Sequence, residues 1–153
     1  KQKEDYNKLI EEEQIFNDSV PSIKMLFEQG TSANTSQKYL LTSMVYPPNE
    51  VKIPESAQVE LDQLVNWLKS NPFESLKINA HTDKSGLEDL NLLLSKQRAE
   101  EVTQFLINKG ISAEKISFEG YGSSIPIASN RFQHGKEKNR RVEIEIQFKK
   151  QEK

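Results

Sequence analysis

Hydrophobic residues recur in this chain at two different periods, and the order of those periods restricts the folds open to it. Val142, Ile144, Ile146 and Phe148 alternate with Glu143, Glu145 and Gln147, the period of a half-exposed strand. Leu76, Ile78 and Ala80 alternate with polar residues in the same way. Ala57, Leu61, Leu64 and Leu68 instead recur at spacings of four, three and four, which puts them on one stripe of a helix. Pro54 suits the opening of that helix and Asn71-Pro72 its end. A second helix is expected from about residue 88 to 109, with Leu92, Ser95, Ala99, Val102 and Leu106 as its buried stripe and Gly110 as its left-handed stop. Ile116 and Phe118 mark a third strand, and residues 39–46 a first one, interrupted by Pro47-Pro48. The expected order is β-α-β-α-β-β, an α+β fold. Helices between strands favour parallel neighbours within one mixed sheet, with the helices packed on one face.

The 153 residues allow one domain of ordinary size and a short appendage. Residues 2–16 read as a helix with Tyr6, Leu9 and Ile10 on one stripe, and residues 22–27 as a short strand. Residues 30–38, GTSANTSQK, are small and polar and read as a linker. The expected division is therefore an N-terminal helical or linker segment over 1–38, a tether or the end of a preceding region, and the principal domain over 39–150. No apolar run approaches the roughly 20 residues of a spanning helix. The N-terminus, KQKEDYNKLIEEEQ, is charged throughout and is no signal peptide; an exported protein with this sequence would be a mature or excised form. A net charge of −2 lacks the electrostatic footprint of a general nucleic-acid binder. The absence of cysteine fits exported and cytosolic proteins alike.

Catalytic readings fail early. His81 and His134 are 53 positions apart and there is no cysteine, so a metal site lacks its ligands. His81-Thr82-Asp83 invites comparison with a relay, but neighbours on an extended segment point to opposite sides, and a histidine packed at a strand end is the better reading. No phosphate-cradling glycine loop and no credible pair of catalytic carboxylates is found. A set of opposite charges remains. Asp83 stands at the end of the second strand, before a Ser85-Gly86 turn. Asn91 and Arg98 share a helix face two turns apart. Arg98 flanks Ala99, which predicts a packed stem with its guanidinium at the rim. The stretch from 120 to 139 has no strong period, and a loop of that length is more often functional than idle; it returns to Asn139-Arg140-Arg141 before the last strand. A carboxylate and a planar guanidinium converging from a strand end and a helix suit a zwitterion, the acid taking the ammonium and the arginine the carboxylate. The residues alone support a second reading equally, in which Asp83 and Arg98 pair with each other. Arg140-Arg141 likewise reads as a solvated basic edge that blocks strand addition.

Those same residues carry a resemblance. His81-Thr82-Asp83, Gly86, NLLLSKQRAEEV (Asn91 to Val102), Lys109-Gly110-Ile111, GYGSSIPIASN (Gly120 to Asn130) and Gly135 with Asn139-Arg140-Arg141-Val142-Glu143 closely resemble, in order and spacing, the OmpA-like domain of OmpA C-termini, peptidoglycan-associated lipoproteins and flagellar stator proteins. The match spans about residues 39 to 148. The resemblance implies the α+β fold just read and a ligand, the meso-diaminopimelate of the peptidoglycan stem peptide, held without any cofactor or metal. Asp83 and Arg98 resemble the pair that grips the ammonium and carboxylate of its free D-centre. Thr82 and Asn91 resemble their hydrogen-bonding neighbours, and Arg140 a second cationic contact; no role is assigned to Arg141. Aligned without gaps on Tyr46 and Ile53-Pro54, the polar residue of the loop after the first strand is Asn49. A second alignment takes residues 26–33 as that strand, with an insertion before Pro54. The chain departs from the family pattern at Ala80, where glycine is usual, and in the prolines of MVYPPNEVKIPES. The function implied is a non-enzymatic, noncovalent anchor to the cell wall in the periplasm of a diderm bacterium, attached to the outer membrane or envelope. Nucleic acid is not an expected partner, and contact with membrane would come only through a tether or parent region. The alternative is an adaptor of the same fold that binds a protein partner.

Overall fold

The computed structural model describes residues 20–30 and 36–149; the helix expected over 2–16 lies outside the described residues. In chain order the elements are α1 (Ile23–Gln29), β1 (Ser36–Leu40), a short 3₁₀ turn (Glu55–Ala57) running into α2 (Gln58–Ser70), β2 (Phe73–His81), α3 (Glu88–Asn108), β3 (Ile116–Gly120), α4 (Gln133–Asn139) and β4 (Arg141–Phe148). The four strands form one sheet in the order β1-β4-β2-β3. β2 and β3 are parallel, joined by α3 as crossover, whereas β4 enters between β1 and β2 and runs antiparallel to both.

The alternation of β2 and β4 explains the layering. Leu76 faces Ile146, Ile78 faces Ile144 and Ala80 faces Val142 across the ladder. These six side chains share one core with Leu61, Leu64 and Leu68 of α2 and with Ala99, Val102 and Leu106 of α3. Successive strand residues point to opposite faces, so both long helices cover the same side of the sheet. The fold is the expected mixed α+β arrangement, with α4 added in the stretch before the last strand.

Several local expectations are corrected. Residues 22–27 do not form a strand: Ile23 and Leu26 are fully buried on a helix that Ser22 caps through its hydroxyl, 3.2 Å from the Lys24 N–H. α1 thus belongs to the common core, and β1 begins at Ser36 within the stretch read as a linker. The alternative alignment over 26–33 fails at the same place, because Leu26–Gln29 are helical. The first strand does not reach residue 46. After Leu40 the chain is drawn onto the buried Glu60 carboxylate, which accepts the Thr42 hydroxyl at 2.6 Å and the Ser43 N–H at 3.1 Å. On α3, Leu92 is 43% exposed rather than part of the stripe, and Asn91, Arg98 and Thr103 are buried instead. β4 is neither an edge nor half-exposed along its first half. Flanked on both sides, it buries Arg141 and Glu143, whose Nε and Oε2 lie 2.5 Å apart.

α3 lies unusually close to the end of β3. A Cβ on Gly120 would stand 2.2 Å from the backbone nitrogen of Lys96 and 2.6 Å from its Cα. Backbone cannot yield as a side-chain tip can, and Ser95 on the same turn pins the approach: its Oγ donates to the Leu92 carbonyl at 3.0 Å and accepts the Gly122 N–H at 2.9 Å. Gly120→Ala is therefore expected to destabilise the fold by about 3 kcal/mol or more, the upper part of the range for overpacking. Urea denaturation measures it, and a change under about 1 kcal/mol would contradict the close approach.

Candidate functional site

β2 ends at His81, and the next backbone contact, Thr82 N–H to the Gly122 carbonyl at 2.8 Å, extends the pairing by one residue. The chain then turns. Asp83 accepts the Ser85 N–H at 2.7 Å on one carboxylate oxygen and Arg140 Nη1 at 2.5 Å on the other. Both side chains of this ion pair are nearly buried, 9% exposed for Asp83 and 11% for Arg140. Burial pushes the Asp83 pKa up, but the Ser85 N–H and the Arg140 guanidinium outweigh it, and the group sits below its ordinary value. It is ionised at neutral pH.

Arg98 is 1% exposed, so its guanidinium is not at the rim as expected. It reaches under the loop that follows β1. Nε donates to the Glu50 carbonyl at 2.7 Å, Nη2 to the Pro47 carbonyl at 3.2 Å, and the group lies 4.2 Å from the centroid of the Tyr46 ring. Nη1 has no hydrogen-bond partner among the described residues. Burial pushes the Arg98 pKa down to about 10, which leaves it charged at neutral pH. Asn49 sits between the two carbonyl acceptors and has φ 65°, the one described non-glycine residue with positive φ. Asparagine tolerates that conformation better than most residues. Ala80 has no such requirement, so its methyl is accommodated within the strand.

The six residues proposed from sequence, Asn49, Thr82, Asp83, Asn91, Arg98 and Arg140, all line one cavity of about 260 Å³. The pairing of Asp83 with Arg98 suggested as an alternative is not what forms: the partner of Asp83 is Arg140. Thr82 Oγ1 donates to the Asp83 carbonyl at 2.8 Å and Asn91 Nδ2 to the Ser85 carbonyl at 3.1 Å. Both therefore hold the turn on which Asp83 is carried. The cavity wall also includes Gln133 and Lys136 of α4, which sequence reasoning did not single out.

Other contributors were visible only as letters in a motif. Asn139 accepts the Ile127 and Ala128 N–H groups at 2.7 and 3.0 Å and donates to the Ala128 carbonyl and to Asn130 Oδ1. Asn130 Oδ1 in turn accepts the Lys84 N–H at 3.1 Å. A continuous set of bonds thus ties the Asp83 turn to the base of β4. Tyr46, used only to align the chain, is the surface on which Arg98 rests.

His81 is not among the residues that line this cavity. Its ring stacks on Tyr121 with centroids 5.1 Å apart and planes 9° from parallel, and it is 3% exposed. Asp83 is separated from it because the strand ends at His81 and the chain turns, not because alternate residues diverge, since residues two apart on a strand share a face.

The sequence profile of the OmpA family matches residues 45–140, and the chain belongs to that family. Among curated relatives, probable lipoprotein YiaD of Escherichia coli K12 is 44% identical over 124 residues, covering 76% of this chain and 55% of the relative. Peptidoglycan-binding protein ArfA of Mycobacterium tuberculosis is 40% identical over 94 residues, covering 61% of this chain and 28% of the relative. The match thus spans about half or less of the curated relatives' length. Among solved structures, the peptidoglycan-associated lipoprotein of Burkholderia pseudomallei superposes with a TM-score of 0.64 at 25% identity, covering 74% of this chain and 90% of the other. The periplasmic domain of Helicobacter pylori MotB (residues 78–256) gives 0.65 at 22% identity, covering 76% and 79%.

Burial first, then the charges of Arg141 and Lys38, pushes the His81 pKa down from 6.5 to about 3. Between those values the unfolded chain binds a proton that the folded chain does not, so stability falls as the pH is lowered, by up to about 1.4 kcal/mol per pH unit. His81→Phe keeps an aromatic ring on Tyr121 and removes the proton. Urea melts from about pH 6.5 to about pH 4.5, above the carboxylate range, should show a loss in the parent protein that the variant lacks. Identical slopes would show that His81 is not buried neutral.

Proposed function

We propose that this domain binds peptidoglycan noncovalently through the meso-diaminopimelate of its stem peptides and so anchors an envelope protein to the cell wall in the periplasm of a diderm bacterium. The observation that carries this reading is the buried Arg98 Nη1 without a partner, beside an ionised Asp83 in one cavity. A buried donor left unpaired costs about 1–3 kcal/mol, and a ligand carboxylate would recover that cost. Each Asp83 oxygen already accepts one bond but keeps acceptor capacity for an ammonium. The D-centre of diaminopimelate carries those two groups on one carbon. Relatives that include a peptidoglycan-binding protein and a peptidoglycan-associated lipoprotein support peptidoglycan as the polymer bound. The role is binding, with no catalytic step. None of the described helices is long and apolar enough to cross a membrane, so attachment would come from a tether or parent region. An adaptor for a protein partner would have no need of both an unpaired buried guanidinium nitrogen and Asp83.

Cosedimentation with purified sacculi, with and without free diaminopimelate as competitor, tests the proposal. Asp83→Asn and Arg98→Lys preserve size but remove one charge or the planar fork, and each is expected to weaken binding by roughly 2–5 kcal/mol. Arg98→Ala should also lower thermal stability, because the carbonyls of Pro47 and Glu50 lose their donor. Sacculus binding that survives Asp83→Asn or ignores the competitor would overturn the reading.

Wall chemistry gives a second expectation. Lysine-type peptidoglycan supplies the ammonium but no adjoining carboxylate, which would leave Arg98 Nη1 buried and unpaired. Sites built to bond a polar group discriminate strongly against analogues that lack it. Comparable binding to diaminopimelate-type and lysine-type sacculi would remove Arg98 from the ligand site.

A further inference from the structure

The loop over residues 41–50 and α4 face each other across a groove with two ends. At one end is the polar cavity described above, with Asn49 from the loop and Gln133, Lys136 and Arg140 from α4. At the other end the adjoining faces of the same two elements enclose a larger cavity of about 490 Å³, and Arg140 lines both. Its walls are mostly apolar, from Leu40, Leu41, Met44, Val45 and Ile127. Two features indicate that this end does more than expose a hydrophobic surface. Tyr46 lines it, is 2% exposed, and has a hydroxyl with no hydrogen-bond partner among the described residues. The charged side chains on its walls are Lys138, Arg140 and Arg141 against Glu137, with Arg140 paired to Asp83 and Arg141 to Glu143.

An occupant matched to this cavity is small, carries an apolar group and bears a carboxylate that can share Arg140 with Asp83. It must also be continuous with whatever fills the polar end. Within a stem peptide, the residue after diaminopimelate meets these conditions when it is a terminal D-alanine: a methyl group and a free carboxylate. We propose that the apolar end of the groove is a subsite for that D-alanine, with its methyl group against the Met44–Val45 wall and its carboxylate toward Arg140. This inference rests on the diaminopimelate reading of the polar end and adds to it that the domain distinguishes stem lengths. Tripeptide stems, which end at diaminopimelate, would occupy only one end of the groove, and tetrapeptide stems both.

Calorimetric titration of the full chain with free diaminopimelate, a tripeptide stem and a tetrapeptide stem tests it. The tetrapeptide is expected to bind roughly tenfold more tightly than the tripeptide, the scale of filling one small apolar subsite. Val45 is 68% exposed, so Val45→Asp is tolerated by the fold while setting a negative charge against the D-alanine carboxylate. In that variant the tetrapeptide advantage should disappear and tripeptide affinity should stay unchanged. Equal affinity of the two stems for the parent protein would overturn the subsite and leave the diaminopimelate site standing. A tetrapeptide advantage that persists in Val45→Asp would overturn its location. If neither diaminopimelate nor the tripeptide binds, the reading of the polar end fails and the subsite fails with it.

Discussion

The shape of the candidate site depends on one buried cation. A guanidinium 1% exposed to solvent has lost its hydration, and the chain repays that with two backbone carbonyls and an aromatic face rather than with a carboxylate. This choice has structural consequences. Pro47 and Glu50 are held by their carbonyl oxygens, so the loop between them is shaped around Arg98, and Asn49 takes a left-handed conformation between the two fixed points. Had a carboxylate neutralised Arg98, the loop would have no such tie and the positive charge would be spent. Because neutral dipoles satisfy only part of the group, the charge stays unneutralised and Nη1 has no partner among the described residues, in a side chain that lines the cavity.

The opposite wall has a different origin. β2 and β3 run parallel, and the cavity opens beyond their carboxyl ends, where α3 begins, the usual place for ligand sites in sheets with crossover helices. Gly120 lets α3 close against the end of β3, which brings Asn91 and Arg98 within reach of the turn after β2. Asn139, Asn130 and Lys84 then join that turn to the start of β4, and Arg140 closes the circuit by pairing with Asp83. Every charged group of the site is therefore attached to an element whose position is set by core packing or by backbone hydrogen bonds. A ligand meets charges already in place, and little ordering of side chains opposes its binding.

The two periodicities in the sequence were enough to read the layers, because the apolar residues of α2, β2 and β4 recur at helical or strand spacing even where polar neighbours are buried too. Reading failed where tertiary contacts override the period. Leu92 belongs to the helical stripe by spacing, yet the helix emerges from the core at its N-terminal end and leaves it partly exposed. Residues 41–46 are apolar enough for a strand, but Glu60 captures Thr42 and Ser43 across seventeen or eighteen positions of sequence, a contact no local pattern announces. The site residues were found through a motif, and all six line one cavity. Their partners were not legible: that Asp83 takes Arg140, and that Arg98 takes carbonyls, depends on where β4 enters the sheet. β4 lies between β1 and β2, so Arg141 is buried beside Glu143, while Arg140, one residue earlier and facing the other way, reaches Asp83.

That arrangement bears on how a small polar cavity can be selective. Around Asp83 stand Arg98, Arg140 and Lys136, one acid among three cations. A lone ammonium would find Asp83 already satisfied by Arg140 and would add to the positive charge. A lone carboxylate would find Arg98 but would lie close to Asp83. A ligand bearing both groups on one carbon avoids each penalty, since its ammonium shares Asp83 with Arg140 while its carboxylate satisfies Arg98. In the proposed role, discrimination thus comes from charges that cannot be matched singly, and the net gain per site is modest because each ionic group must be desolvated. Durable attachment then follows from several copies on one envelope engaging one wall, where each further contact forms at the effective concentration set by the first.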